Sequence, residues 1–200
     1  MLNKRRSLVW GILMSRSTVI TAVLDANVLY PAPLRDYLLH LASLGVYEPI
    51  WTAAIQDEWI RNLAKARPDI NRAALEATQR SMDRAFPGSN VTNYESIISS
   101  LSLPDPDDRH VLAAAIKSKA KVIVTANLKD FPSSALTPYA IRAEHPDEFV
   151  AGCIDRERKK AIKALENQVK ALKKPPLSRE KVLENLKSTG LIRSVAKLKS

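Results

Sequence analysis

The chain has 200 residues and a mass of 22.2 kDa, which fits one domain with or without a smaller appendage. With 46% hydrophobic and 26% charged residues, the composition is that of a globular protein and excludes a disordered chain. No apolar run approaches the roughly 18 residues that cross a bilayer, so we expect no membrane association. The single cysteine, Cys153, excludes an intramolecular disulfide and a cysteine zinc site, and it favours a cytoplasmic location.

The net charge of +10 is concentrated at the two ends of the chain. Residues 151–200 contain 14 Lys and Arg against 5 Asp and Glu, whereas residues 19–150 have a slight acidic excess. We therefore expect a disordered basic leader over 1–18, a globular domain over 19–150 and a basic helical extension over 151–200. Basic ends suit a polyanionic partner with a phosphate backbone, although a solvated helical surface has the same composition.

The pattern of apolar residues predicts alternating strands and helices. The β-branched run 19–24 predicts a first buried strand, and 47–51, 121–125 and 140–143 predict further strands. Helical spacing predicts helices over 34–44, 52–66, 70–86, 109–119, 155–174 and 178–190, followed by a last turn or two at 192–198, while 94–103 fits either structure. This alternation favours a three-layer α/β/α fold around a parallel sheet.

Acidic side chains fall at the edges of these predicted elements. Asp25 follows the first strand, and Asn127 and Asp130 follow the strand 121–125. In a parallel sheet the carboxyl ends of the strands share one crevice, so these side chains are expected to meet there. Glu58 on the second helix and Asp108 at a helix start can converge on the same place.

Carboxylates that lie close together repel one another, and a divalent cation relieves that repulsion. Oxygen ligands select Mg²⁺ or Mn²⁺, which orient water and stabilise charge on a phosphoryl group. Each acid also has an ordinary structural explanation. Asp107 and Asp108 can cap a helix, Glu58 can be a solvated charge and Asp130 can cap a turn. Asp25 is the sharpest candidate, because folding rarely needs an acid directly after a buried strand.

Four segments together resemble a PIN-domain protein of the VapC type. They are residues 24–29, 56–63, 105–115 and 124–132, and their order and spacing match the family across about 19–150. The resemblance implies a Mg²⁺- or Mn²⁺-dependent endoribonuclease, the toxin of a toxin–antitoxin pair. It also implies RNA as substrate, a small antitoxin protein as partner and a homodimer. The tail from 174 to 198 resembles the C-terminal helical extension of one VapC subgroup.

The resemblance also assigns roles to individual acids. Asp25, Glu58 and Asp108 match the first three acids of the family and are expected to hold the metal and act in catalysis. Asp107 is the nearest substitute for Asp108. A carboxylate-held ion would lower the pKa of a water that attacks phosphorus in line.

The fourth acidic position of the family departs from the common pattern. Asn127 stands there, and an amide oxygen can ligate a metal but brings no charge. Asp130 is expected to supply the missing carboxylate and to join the catalytic set. Asn27 and Thr125 match polar residues that the family places beside the metal.

Two arginines are candidates for contact with the RNA backbone. Arg35 follows the first strand closely and can face phosphate, or it can pair with a neighbouring acid. Arg61 lies one helical turn after Asp57 and Glu58, so it can orient a carboxylate or contact phosphate. Trp51 and Trp59 are predicted to fill the core rather than stack on bases.

Two alternatives to a nuclease remain open at the level of sequence. One is a non-catalytic PIN module that binds RNA or protein, because Asn127 can mark a degenerate site. The other is a phosphatase with Asp25 as covalent nucleophile. Asn27 argues against the phosphatase, since such enzymes place a second acid at that position.

Overall fold

The computed structural model describes residues 19–200, and the predicted leader 1–18 lies outside the described residues. Four parallel strands form one sheet in the order β2-β1-β3-β4. Their bounds are β1 Ile20–Leu24, β2 Tyr47–Ile50, β3 Val122–Val124 and β4 Arg142–Glu144. Since β2 and β3 lie on opposite sides of β1, the chain reverses its direction of winding at β1.

Ten α-helices connect and follow these strands in the described part of the chain. They are α1 Ala26–Leu29, α2 Ala32–Ser43, α3 Ala53–Ala66, α4 Arg72–Ala85, α5 Glu95–Ile98, α6 Arg109–Ser118, α7 Ser133–Leu136, α8 Pro146–Ala171, α9 Arg179–Ser188 and α10 Ile192–Lys199. Short 3-10 turns cover Pro106–Asp108, Leu128–Asp130 and Thr137–Tyr139. None of these helices has the length and apolar character needed to cross a membrane.

The centre of the sheet is buried on both faces, as its apolar sequence predicts. All three residues of β3 and the last three of β1 are inaccessible to solvent. Helix α6 packs on β1, β2 and β3, while α2 packs on β2 and α8. The rings of Tyr47 on β2 and Phe149 on α8 meet edge to face, with their centroids 5.0 Å apart. The predicted three-layer α/β/α architecture is therefore confirmed.

Two helices begin where the sequence predicts, near residues 52 and 178, and each start has a side-chain cap. The Thr52 hydroxyl accepts a hydrogen bond from the Ile55 amide and caps α3, and Ser178 caps α9 in the same way through the Lys181 amide. Trp51 and Trp59 are fully buried, as expected of core residues.

The predicted helix 155–174 needs correction. Helix α8 begins at Pro146, where proline suits the first helical turn, and its break at Glu157 is close to the predicted start. Phe149, Val150 and Ile154 are buried, so the segment before the break belongs to the core. The expected domain boundary at 150/151 therefore lies within the part of α8 that precedes the break at Glu157.

Two smaller elements also differ from the sequence pattern, and a third lies in a stretch that the pattern left open. Helix α1 begins at the second residue after β1, where no element was predicted. The ambiguous stretch 94–103 contains the short helix α5. Strand β4 lies two residues later than predicted, because Ala140 takes a left-handed conformation that ends the preceding turn.

The C-terminal helices pack against the sheet domain. The Tyr37 hydroxyl on α2 donates a hydrogen bond to the Ala161 carbonyl on α8 at 3.1 Å. Helix α10 packs on α8, and α9 contacts both α2 and α8.

Candidate active site

Two neighbouring strands end where the sheet reverses its winding, and polar side chains follow both of them. Asp25 follows β1, and Thr125 follows β3. The Asp25 amide donates to the Val124 carbonyl at 3.1 Å, which continues the pairing of the strands past their ends. Crevices of open parallel sheets lie at this kind of reversal, so the topology places these residues at the expected position for a site.

Asp25 is held by a dense set of hydrogen bonds. Its Oδ1 atom accepts the Ala26 amide at 2.6 Å, and its Oδ2 atom accepts the Thr125 hydroxyl at 2.7 Å and the Asn27 amide group. The residue is only 4% exposed. Burial raises the pKa of Asp25, the hydrogen bond from Thr125 opposes that rise, and the negative charge of Glu58 adds to it. The Oδ1 atom keeps one free lone pair for another donor or a cation.

Asn27, Thr125 and Asn127 fix the geometry around Asp25. Asn27 Nδ2 donates to Thr125 Oγ1 at 2.9 Å, and Asn27 Oδ1 accepts the Ala126 amide at 2.9 Å. The backbone N–H of Asn127 donates to the same Thr125 hydroxyl oxygen at 3.0 Å. The loops after β1 and β3 are thereby joined through side chains that are distant in sequence.

A group of three carboxylates lies beside this network. One oxygen from each of Asp105, Asp108 and Asp130 lies within 4.8 Å of the others. The Asn127 side chain donates to the Asp130 carboxylate, and Asp105 Oδ1 accepts the Asp107 amide at 2.9 Å. These contacts position two of the three acids.

The electrostatics of Asp108 show how crowded the negative charge is. Its pKa is raised to about 6, first by burial and then by the charges of Asp25, Asp105, Asp130 and Glu58. The raised pKa means that the ionised form of Asp108 is less favoured than that of an ordinary solvated carboxylate, and a nearby positive charge would stabilise it.

The acids open into a crevice of about 790 Å³. Two of its lining side chains lie close together, with Glu58 Oε2 on α3 3.7 Å from His110 Nε2 on α6. The crevice is lined by Asp25, Asn27, Ala54, Asp57, Glu58, Arg61, Asn62, Asp105, Asp107, Asp108, His110 and Asn127. Half of these residues are acidic, and Arg61 is the single Lys or Arg side chain that the described part of the chain contributes to the lining.

Most of the residues singled out from the sequence come together here. Seven of them line the crevice, namely Asp25, Asn27, Glu58, Arg61, Asp107, Asp108 and Asn127. Thr125 is buried behind Asp25, and Asp130 belongs to the carboxylate group. The closest three acids are nevertheless Asp105, Asp108 and Asp130, rather than the predicted metal ligands Asp25, Glu58, Asp108 and Asn127.

Arg35 requires a correction, because it does not line the crevice. Its guanidinium lies 4.8 Å from the Trp59 ring centre and donates to the Leu29 carbonyl at 2.9 Å. Arg35 Nε is also 3.7 Å from the Asp36 carboxylate, so the alternative of an ion pair with a neighbouring acid describes it better. Arg35 is buried, and the structure gives it no access to an RNA phosphate at this site.

Four polar residues that line the crevice were missing from the predicted set, namely Asp57, Asn62, Asp105 and His110. Asp105 caps the turn before α6, and its place in the segment Asp105-Pro106-Asp107-Asp108 was the available signal. His110 follows Asp108 by two residues at the start of α6, where helical geometry turns it toward the same crevice. No spacing rule distinguishes such a lone histidine from one in a core.

The donor set fits a hard divalent cation. Among residues 19–200, six acidic residues, three asparagines and no sulfur line the crevice, and Mg²⁺ and Mn²⁺ prefer oxygen ligands. The high pKa of Asp108 has the same implication, since a bound cation would favour the ionised carboxylate.

Comparisons with known proteins agree with this geometry. The family model described as the PIN domain matches residues 21–129, and the model of the VapC50 C-terminal domain matches residues 146–200. A protein of Mycobacterium tuberculosis (strain ATCC 25618 / H37Rv), named "Putative ribonuclease VapC50", is 44% identical over 79 residues. The match covers 40% of this chain and 47% of that protein, so the chain spans about half the length of this relative.

No solved structure matches the chain. The PIN-domain match alone covers more than half of the 200 residues, and it contains Asp25, Glu58 and Asp108. The chain belongs to the PIN domain family.

Proposed function

We propose that this protein is a metal-dependent endoribonuclease that hydrolyses phosphodiester bonds of RNA with Mg²⁺ or Mn²⁺. The observation that carries the proposal is that acids from three separate segments line one open crevice, with Asp130 from a fourth segment beside them. Folding alone gives no reason to concentrate so many like charges, because their mutual repulsion destabilises the folded state. A cation and a phosphodiester substrate together explain both the charge and the open space.

Metal binding is assigned to the acids that lie closest together. Asp108 is proposed as the central ligand, because it belongs to the three-carboxylate group with Asp105 and Asp130 and its pKa is also raised by the charges of Asp25 and Glu58. Asp25 and Glu58 are proposed to complete the site. When bound, the cation supplies Lewis acidity and lowers the pKa of a water.

The other polar residues are proposed to position these acids and the substrate. Asn27 and Thr125 hold the Asp25 carboxylate in one orientation, and Asn127 does the same for Asp130. Arg61 on the rim is proposed to contact a phosphate of the RNA, because the surrounding acids would otherwise repel the backbone.

The biological setting is proposed from the relatives. The named relative is called a ribonuclease, and the family likeness extends to a VapC50-type C-terminal domain. On that basis we propose a cytoplasmic toxin of a type II toxin–antitoxin pair, which acts on RNA, forms a homodimer and binds a small antitoxin.

The C-terminal unit is proposed to begin at Pro146 rather than at residue 151. The start of α8 and the start of the second family match coincide there.

The central assignment is tested with Asp25→Asn and Asp108→Asn. Each variant should lose at least about a hundredfold in Mn²⁺-dependent cleavage of single-stranded RNA, because removing one preorganised charge at a reacting centre costs this much. The matched control is Asp69→Asn, an exposed acid that pairs only with Arg67. Full activity in both site variants, with unchanged metal dependence, would refute the assignment.

A second candidate, a PIN module that binds without cleaving, is favoured by one observation. Asn127 occupies the fourth acidic position of the family pattern. Its side-chain amide group donates to the Asp130 carboxylate, so the position adds no carboxylate of its own. Calorimetric titration of the wild type with Mn²⁺ separates the two functions. A nuclease requires a saturable site that Asp108→Asn abolishes, whereas a binding-only module shows no such site.

A further inference from the structure

Glu58 is held by fewer contacts than Asp25, although both acids line the crevice. Asp25 accepts three hydrogen bonds, and Asp130 accepts one from Asn127. Among residues 19–200, no side chain or backbone N–H donates a hydrogen bond to Glu58, and its side chain is 33% exposed. A glutamate has three rotatable side-chain bonds, so its carboxylate samples several orientations unless a neighbour selects one. The contact that orients Glu58 is therefore a separate question from the contacts that orient Asp25.

His110 is the polar side chain that the structure places beside Glu58. Its Nε2 atom lies 3.7 Å from Glu58 Oε2, and its side chain is 18% exposed. The next five residues of α6, 111–115, are all buried, which fixes the helix that carries His110. An imidazole has two side-chain torsions and a planar ring, so it is more rigid than a glutamate. His110 thus presents a rigid group to a flexible carboxylate.

The surroundings of the two ring nitrogens indicate which one carries a proton toward Glu58. Nδ1 is buried, and it has no hydrogen-bond partner among the described residues. A single ring proton on Nδ1 would leave a buried donor unpaired, and the lone pair of Nε2 would then face a carboxylate. A proton on Nε2 instead directs an N–H group toward Glu58. The geometry therefore favours the tautomer with the proton on Nε2.

We propose that His110 is a positioning residue that holds the Glu58 carboxylate toward the crevice through its Nε2–H group. This role rests on the proposed nuclease function, because it matters to the reaction only if Glu58 acts at the site. A separation of 3.7 Å is longer than a hydrogen bond, and hydrogen bonds in active sites often shorten when substrate binds. Groups that orient a metal ligand from behind commonly contribute about tenfold to hundredfold to metal affinity or activity.

The contact itself is tested without metal or RNA. Long-range ¹H–¹⁵N NMR spectra at about pH 8, where an ordinary histidine is neutral, report which ring nitrogen carries the proton. The His110 signals are assigned by their loss in His110→Ala. They should show the Nε2–H tautomer and should shift in Glu58→Ala, whereas the exposed control Asp69→Asn should leave them unchanged. A proton on Nδ1, or signals that do not respond to Glu58→Ala, would overturn the proposal.

Substitutions of His110 test the positioning role. His110→Ala should lower kcat/KM for Mn²⁺-dependent cleavage of single-stranded RNA about tenfold to hundredfold. His110→Gln carries a side-chain N–H near the position of Nε2 and should recover most of this loss, whereas His110→Asn, whose N–H lies nearer the position of Nδ1, should not. The matched control is His40→Ala, because His40 lies on α2 and is not part of the crevice lining. Circular dichroism checks that each variant is folded.

A double-mutant cycle with Glu58→Ala separates positioning from direct contact. If His110 acts through Glu58, adding His110→Ala to Glu58→Ala should change kcat/KM by less than about twofold. Calorimetric titration of the same four proteins with Mn²⁺ gives a second cycle that does not depend on cleavage, and the same lack of additivity is expected there. Additive losses would show that His110 contacts RNA or metal by itself, and they would overturn the proposal. Absence of both cleavage and Mn²⁺ binding in the wild type would instead refute the proposed function, whatever the NMR spectra show.

Discussion

The crevice and the C-terminal helices are both rich in charge, but they use it in opposite ways. In the crevice, Asp105, Asp108 and Asp130 lie close together, and partial burial and the neighbouring negative charges both raise the pKa of Asp108. On the C-terminal helices, basic side chains pair with nearby acids, as Lys163 does with Glu166 and Lys197 with Asp155. Clustered like charge implies a ligand, whereas exposed opposite charge requires none. The overall charge of +10 would not reveal this difference.

The largest expected effect concerns the metal. Asp108→Asn should weaken Mn²⁺ binding by at least about tenfold, because even residues that only support a metal ligand contribute that much. Calorimetry with the wild type and the variant measures the change. The matched control on the C-terminal side is Asp155→Asn, which removes an acid that pairs with Lys197 and should not alter binding. Equal affinities in Asp108→Asn and the wild type would remove Asp108 from the site.

The next effect concerns Asp147, an acid of the C-terminal unit that acts as a helix cap. Its carboxylate accepts the Arg193 and Ser194 amides, each at 2.8 Å, and so holds the start of α10. Asp147→Ala should lower the free energy of unfolding by about 1–2 kcal/mol, as expected for loss of a cap with charged hydrogen bonds. Urea unfolding measures this loss. Glu148→Gln, which changes an exposed ion pair with Arg193, is the control and should have a smaller effect.

The pH dependence of this stabilisation has a defined sign. Burial raises the pKa of Asp147, but the hydrogen bonds from Ser194 and Arg193 together bring it below its ordinary value. A carboxyl whose pKa is lower in the folded state stabilises the protein above its unfolded pKa of about 3.9, and this contribution is lost as the pH falls further. The difference between the wild type and Asp147→Ala should therefore shrink below about pH 4. A constant difference down to acid pH would contradict the assignment.

The sequence predicted the strands of the sheet and the edge where the acids meet, because both depend on local patterns. Buried β-branched runs identify β1 and β3, and parallel strands bring the residues that follow them to one edge. The precise grouping of acids was not predictable. Asp105 joins Asp108 and Asp130 through the turn before α6, and spacing along the chain does not determine which oxygens become neighbours in space.

Arg35 shows that a residue near the site in sequence can also lie outside the site in the folded structure. An arginine shortly after a strand that leads to the site is a reasonable phosphate contact. Its side chain instead turns inward onto Trp59, a residue of α3 with which it shares no sequence motif. The contact depends on how α2 and α3 pack, which is a property of the tertiary structure.

Replacing Asp108 in metal-free protein is expected to raise the free energy of unfolding, by less than Asp147→Ala lowers it. Its pKa of about 6 lies above the value of an unfolded chain, so the folded state binds the extra proton more tightly between about pH 4 and 6. Near pH 7, Asp108→Asn should therefore raise the free energy of unfolding, by less than about 1 kcal/mol because solvent screens this partly exposed group. With a chelator present, the gain should disappear as the pH is lowered to 4. A loss of stability near pH 7 would show that the acids do not repel one another as described.

The smallest change in the free energy of unfolding is expected for the exposed ion pair between Lys163 and Glu166 on α8. Lys163 and Glu166 lie 3.5 Å apart, and about half of each side chain is exposed. Glu166→Gln should change the free energy of unfolding by less than about 0.5 kcal/mol, since exposed ion pairs gain little beyond the solvation they lose. Urea unfolding at low and high salt measures it, and the difference should be smaller at high salt. A larger loss, comparable to that of Asp147→Ala, would mean that the paired charges of the C-terminal helices stabilise the fold in their own right, and the contrast with the crevice would then fail.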